Sequence, residues 1–390
     1  GTARSMSNGN IVNLGDENGK FSADLRRAEI WGTSYGGQVQ DNDSDKIKGN
    51  TLNVNASGIR LEKVRNFEKI NFKLGAGISS GDTMLNVIVR GYTTSYDWNN
   101  ITVEDVANWV SGITESKRVK LYSGPSLTFN NYSLSGTTSG DFEYGLDTNT
   151  TTPSASSVQA SEIYFDVEKF RNAEKTVTAS GWGILYAGRS KLGNTTTNNT
   201  LTLTNGLTWT SSNIYAGYTV GAGDSDGNHL ILKDDIYVDN SYVAYGGWSA
   251  TGKAINNKVT ISNVTSNAYA TVVSGGGSGD PSAEVTKGNT LEIQKKNNRL
   301  YSIYNFEKMS FDLASGVPSG SYMLHVVHST GSAFDWKNIT VSGLSTWAAE
   351  QAAANNNTPA LTLYTGGWIT LNNYQPSILG TAGDYGFGKH

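Results

Sequence analysis

Short segments in which every second residue is apolar recur along this chain, at Leu52 and Val54, Leu201 and Leu203, Leu230 and Leu232, Val259 and Ile261, and Leu291 and Ile293. A period of two over about five residues predicts a strand with one buried face, where a helix would show a period of about 3.6. Each segment is entered through an asparagine: Asn50, Asn199, Asn228, Asn257 and Asn289. From Asn199 onward the steps are 29, 29 and 32 residues. A second signature, an aromatic followed by small residues, runs ahead of the strands. It reads Tyr35-Gly36-Gly37, Tyr186-Ala187-Gly188, Tyr215-Ala216-Gly217, Tyr245-Gly246-Gly247 and, in degenerate form, Ser274-Gly275-Gly276. The last four copies begin 29, 30 and 29 residues apart.

A unit of this length offers two or three short strands and turns rich in Gly, Asn and Asp. It is too small to bury its own apolar face, so neighbouring units must stack. The expected fold is all-β: a right-handed parallel β-helix (β-solenoid) with successive coils about 4.8 Å apart. A propeller built from one repeat per blade is the rival, but blades usually need about 40–45 residues. In the stacked arrangement the entry asparagines are expected to form a ladder in or beside a turn, with glycines supplying positive φ there.

A larger duplication lies over the small one. Gly49-Asn50-Thr51-Leu52 and Asn66-Phe67-Glu68-Lys69 match Gly288-Asn289-Thr290-Leu291 and Asn305-Phe306-Glu307-Lys308 at an offset of 239. Tyr96-Asp97-Trp98 and Trp109 match Phe334-Asp335-Trp336 and Trp347 at 238, and Asn130-Asn131-Tyr132 matches Asn372-Asn373-Tyr374 at 242. The chain is therefore expected to be one continuous solenoid over 1–390, with a first module at 20–150 and a second at 151–390 that carries the short repeats at 180–295. Short helical or loop excursions are expected near 92–122 and 331–362. Thr102 with Asp105 resembles a capping box, and Leu344 to Ala354 is Ala-rich with high helix propensity.

Composition sharpens the picture. The 390 residues include 45 Gly but 6 Pro, and no composition break marks a linker. A net charge of −4 without a clustered basic stripe argues against nucleic acid and anionic lipid as partners. Cysteine is absent, which removes disulfides, thiolate nucleophiles and Cys-based zinc sites. No apolar run reaches the length of a membrane-spanning helix.

Tyr-Gly-Gly repeats, Asn-x-apolar-x-apolar strands, and an Asn-Phe-Glu-Lys segment leading to a Met-Leu strand together resemble the passenger regions of bacterial autotransporter adhesins. The resemblance covers most of residues 20–390. It implies a right-handed β-helix exported through the outer membrane, displayed on the bacterial cell surface, and engaged in adhesion or host contact with surface glycans or proteins. A signal peptide and a C-terminal membrane barrel, both part of the family plan, are not found in this sequence.

No catalytic, metal or cofactor constellation stands out. His325 and His328 lie three apart, on opposite faces of a strand. Asp41-Asn42-Asp43-Ser44-Asp45 and Asp224-Ser225-Asp226-Gly227-Asn228 read as solvated turns, the latter lacking the bidentate Glu of a calcium loop. Polysaccharide lyases and glycosidases also use β-helices, and glycoside hydrolysis needs two carboxylates roughly 5–10 Å apart. Asp97 and Asp335, however, recur in one aromatic-Asp-Trp setting, as a duplicated structural turn would. The favoured reading is a non-catalytic adhesin segment, with a carbohydrate-active β-helix enzyme and a purely structural stalk as alternatives. Aromatics with polar tips supply the binding candidates. Tyr215 and Tyr245 read as packing rungs, while Tyr218 and Trp248, three residues further on, are expected to be exposed. Lys117 and Arg118 mark the first excursion, in a loop at 112–119 expected to tolerate trimming, as is 351–358 in the second copy.

Overall fold

The alternating segments stack in register in a computed structural model of the chain, which describes residues 9–16, 18–19, 21, 25–33, 47–89, 95–149, 157–239, 241–265, 271–313, 316–328, 332–354, 359–382 and 385–389. The signature at Tyr35-Gly36-Gly37, the acidic turn at 41–45, residues 355–358 and His390 lie outside the described residues. Internal contacts divide the chain into two units, Gly1–Glu168 and Lys169–His390. Both contain coils of parallel β-solenoid.

In the second unit, seven strands form one parallel sheet: Glu174–Val177, Thr200–Leu203, His229–Lys233, Lys258–Ser262, Thr290–Gln294, Lys308–Asp312 and Ile339–Ser342. The repeat step sets the register, so that Leu201 pairs Leu230, Leu230 pairs Val259, Val259 pairs Leu291 and Leu291 pairs Met309. These inward residues form a continuous apolar core. A second parallel sheet carries Leu185–Ser190, Ile214–Thr219, Val243–Ser249, Val272–Ser278 and Ser302–Tyr304.

Between the two sheets runs the predicted asparagine ladder. Asn199, Asn228, Asn257 and Asn289 are fully buried. Each carboxamide oxygen of the last three accepts from both the backbone N–H and the Nδ2 of the asparagine one coil before, at 2.8–3.4 Å. Burying these amides is tolerable because each is hydrogen-bonded on both sides. The residue before each ladder asparagine is left-handed: Asn198, Gly227, Asn256 and Gly288. The glycines of the Tyr-x-Gly signature serve a different purpose. Gly188 and Gly217 are not at positive φ; a Cβ there would lie 2.2 and 2.4 Å from the side chains of Asn199 and Asn228.

The first unit repeats the theme in the parallel strands Ile11–Leu14, Thr51–Val54, Lys69–Lys73 and Ile101–Glu104, with Asn50 buried between Asn10 and the carbonyl of Asn66. It then departs from it. Lys117–Asn130 pairs parallel with Thr83–Val87 but antiparallel with Ser157–Lys169, and Gly136–Ser139 with Phe142–Thr148 forms a further antiparallel pair.

The duplication extends to side-chain bonds. Trp109 Nε1 donates to the carbonyl of Ile78 and Trp347 Nε1 to that of Val317, at 2.9 and 2.7 Å. Asp97 and Asp335 each cap a 3-10 turn and accept from Asn131 and Asn373, at 2.9 Å in both copies. These carboxylates hold a turn together, as the shared sequence setting suggests. Helices occur in both excursions, at Val106–Val110 and Leu344–Ala353. The capping box does not form. Thr102 lies in a strand and donates to Asn71, and the helix starts after Asp105 in a left-handed conformation, the place that Gly343 fills in the second copy.

Candidate ligand-binding face

A step of 29 or 30 residues, combined with in-register parallel pairing, places identical repeat positions directly above one another. Tyr186 pairs Tyr215, and Tyr215 pairs Tyr245. The last two rings are parallel within 8°, with centroids 5.4 Å apart. Three residues on, Arg189 pairs Tyr218 and Tyr218 pairs Trp248, whose ring is 5.1 Å from that of Tyr218.

On a regular strand, residues three apart would point to opposite faces. Here both columns share one face, and Tyr215 and Tyr218 stack at 4.6 Å. The small pair between them explains this. Ala216 is fully buried in the core, and Gly217 abuts Asn228, so two successive residues point inward and the alternation shifts by one. The result is a double row of rings: Tyr186, Tyr215 and Tyr245 beside Tyr218 and Trp248.

Tyr215 is buried, while Tyr186, Tyr218, Tyr245 and Trp248 are half-buried. The ring of Tyr218 packs against those of Tyr186, Tyr215 and Trp248, at 6.4, 4.6 and 5.1 Å, so Tyr218 and Trp248 are held by their neighbours and only partly exposed, where exposure was expected. Burial pushes the phenol of Tyr215 up to about 12 and raises those of Tyr218 and Tyr245, so all three remain protonated donors at neutral pH. Arg189 lies over the Tyr186 ring at 5.2 Å and donates to its hydroxyl at 3.0 Å.

The ladder opens at its far end. Tyr245 pairs Ser274 and Trp248 pairs Gly277, so the next coil brings no ring; Tyr304 follows as partner of Ser274. A cavity of about 240 Å³ lies there, with Tyr245, Ser274, Gly277, Asp280, Pro281 and Tyr304 among the residues lining it. Sequence reasoning missed Tyr304 and Asp280. The degenerate repeat at Ser274 was the available signal, since it marks where the aromatic column skips a coil.

Lys117 and Arg118 belong to the other unit and are not on a loop. Both lie on the strand Lys117–Asn130, and Arg118 forms a bidentate pair with Asp166 at 2.5 and 2.7 Å while stacking on Tyr164. Asp166 is the cross-strand partner of Arg118 in register, so the charge finds its counterion within the sheet. Lys117 sits 5.9 Å over the ring of Trp109, and Lys120 pairs with Glu162 at 2.5 Å. Trimming 112–119 would therefore cut into a paired strand, which corrects the expectation of a dispensable loop.

Elsewhere, Thr260 bridges His229 and Glu292 at 2.8 Å to each, and Lys258 pairs with Glu292 at 2.9 Å. This polar chain lies on the outward face of the seven-stranded sheet. The carboxylates of Asp224 and Asp226 accept from Lys253 N and Asn256 Nδ2 one coil on. His325 and His328 rest against Tyr322 and Tyr301 respectively. Among the described residues, no group of three or more His, Asp or Glu is arranged to hold a metal ion. No helix among them is long and apolar enough to cross a membrane. Comparison of the chain with protein-family models, with curated proteins and with solved structures finds no match.

Proposed function

We propose that this chain is a non-catalytic binding segment of a surface-displayed bacterial protein, of the adhesin type that the repeat pattern resembles, and that it meets surface glycans through the double aromatic row of its second unit. One observation carries the reading: Tyr186, Tyr218 and Trp248 present half-exposed rings along a single face at coil spacing. Rings with an apolar face and a polar tip stack on the C–H face of a sugar and bond its hydroxyls. A rigid sheet that repeats such rings matches a polymer whose own units repeat, and stacked rings lose little conformational freedom on binding.

A catalytic reading gains less. Asp97 and Asp335 are committed to turns, and Glu292 to Lys258 and Thr260. A glycan array run together with reducing-sugar and unsaturated-product assays tests the proposal. Binding without turnover is expected; turnover of any bound glycan contradicts the non-catalytic reading, and silence on the array contradicts glycan recognition.

A further inference from the structure

Read along its column, the aromatic ladder runs Tyr186, Tyr215, Tyr245, Ser274, Tyr304. Four rungs carry a ring and one carries a hydroxymethyl group. The cavity of about 240 Å³ sits at that rung. We infer that it is a subsite for one neutral pyranose ring, stacked between Tyr245 and Tyr304 and hydrogen-bonded to Asp280. This deepens, and rests on, the glycan reading of the ladder.

The size of the gap follows from the fold. Consecutive rings in this column, Tyr215 and Tyr245, have centroids 5.4 Å apart. Tyr245 and Tyr304 are separated by two coils, or about 9.6 Å of sheet. One further ring fits at stacking distance from both. The volume falls below the roughly 300–1,000 Å³ of sites for drug-sized ligands, as a place for a single ring should. Gly277 lets the neighbouring rings pack down at the wall of this cavity: a Cβ there would lie 2.5 Å from the Tyr245 ring and 2.9 Å from that of Trp248.

Polar groups select a sugar over an apolar ring. The Oδ1 of Asp280 accepts from the backbone N–H and hydroxyl of Ser282 at 2.8 and 2.7 Å, while its Oδ2 has no bond to a described residue. The hydroxyls of Tyr245 and Tyr304 likewise have no hydrogen-bond partner among the described residues, and Tyr304 is 40% exposed. A phenylalanine ring from a partner protein would leave these groups unpaired, whereas a pyranose supplies both donors and acceptors around its edge. The bonds from Ser282 hold the Asp280 carboxyl below its usual range, so it is anionic at neutral pH and repels uronic and sialic acids.

The test uses the whole chain, titrated with the methyl pyranosides of glucose, galactose, mannose and N-acetylglucosamine and followed by saturation-transfer NMR and calorimetry, with methyl glucuronide as the anionic comparator. At least one neutral glycoside is expected to bind and the glucuronide to fail. Ser274→Tyr, which puts a ring in place of a buried hydroxyl bonded to Gly276 and Asn305, and Tyr304→Ala are each expected to weaken binding by about tenfold or more, and Asp280→Asn by about tenfold. Circular dichroism checks the fold of each variant. Should Ser274→Tyr fail to fold, Tyr304→Ala and Asp280→Asn, at the rim, decide the matter. The subsite is overturned if no neutral glycoside binds, or if these two rim variants bind like the parent. Loss of glycoside binding with longer glycans still retained on the array sinks the subsite but leaves the ladder standing; silence in both sinks both.

Discussion

The carboxamide oxygen of Asn228 accepts two hydrogen bonds from Asn199, one from the backbone N–H at 3.1 Å and one from Nδ2 at 2.8 Å. Its own Nδ2 donates to the Thr196 carbonyl, the Ser225 hydroxyl and Asn257 Oδ1. Truncation by Asn228→Ala removes an acceptor shared by two buried donors and leaves a cavity. With about 1–3 kcal/mol for each buried group left unpaired, the expected loss is about 3–5 kcal/mol. Urea unfolding of parent and variant measures it, and a change below about 1 kcal/mol would show that the ladder does not hold the coils together.

Glycine has two distinct roles in this chain, and they predict different penalties. Gly217→Ala drives a methyl group to within 2.4 Å of the Asn228 side chain. The expected cost exceeds about 3 kcal/mol, because neither backbone nor ladder can retreat from the overlap. Gly112→Ala meets open space and suffers only from φ +70, at about 1 kcal/mol. Equal melting temperatures for the two variants would contradict the close-approach account.

Arg118→Ala is expected to lower stability and leave ligand binding unchanged. Its partner Asp166 is buried, whereas the Arg118 side chain is half exposed. The loss should therefore fall below that of a fully buried pair, at about 1–3 kcal/mol. A variant that unfolds like the parent but binds less would restore Arg118 as a residue that touches ligand.

Acid should loosen the His229 face in a defined window. Burial, and then the charge of Lys258, lower the pKa of His229 below 6.5, so the folded state takes up a proton less readily than the unfolded chain. The stability it contributes is fully present above about pH 6.5 and is lost as pH falls through the lower folded value. For Glu292, burial opposes ionisation, but the bonds from Lys258 and Thr260 prevail and hold its pKa below 4.5; its contribution is lost only at lower pH. Replacing His229 by Asn should flatten the decline in melting temperature between pH 7 and 5. An unchanged slope would assign that decline to other groups.

Much of the fold was legible because the determinants are local and periodic. Leu201 and Leu203 declare a one-sided strand, and the repeat step that carries Asn199 to Asn228 is itself the register of the parallel sheet. What the pattern could not show lies where a local rule is broken. Ala216 and Gly217 both point inward, which brings Tyr215 and Tyr218 onto one face; period-two reasoning places them on opposite faces. The antiparallel return of Ser157–Lys169 against Lys117–Asn130 depends on pairing far apart in sequence, and without that pairing in view the charges of Lys117 and Arg118 read as belonging to a solvated loop. At Asp105 the duplicate held the answer, since Gly343 in its place marks a left-handed residue and not a capping box.

Calorimetric titration of Tyr218→Ala/Trp248→Ala with the tightest-binding glycan of the array asks whether glycans are met by the aromatic row. Both rings are half-exposed and lie on the outer face, so the coils beneath should keep their asparagine ladder and their parent-like circular dichroism. At about 1–2 kcal/mol for each stacking ring removed, affinity should fall by about thirtyfold to a thousandfold. Binding by a folded double variant at parental affinity would contradict the account and move the site off this face.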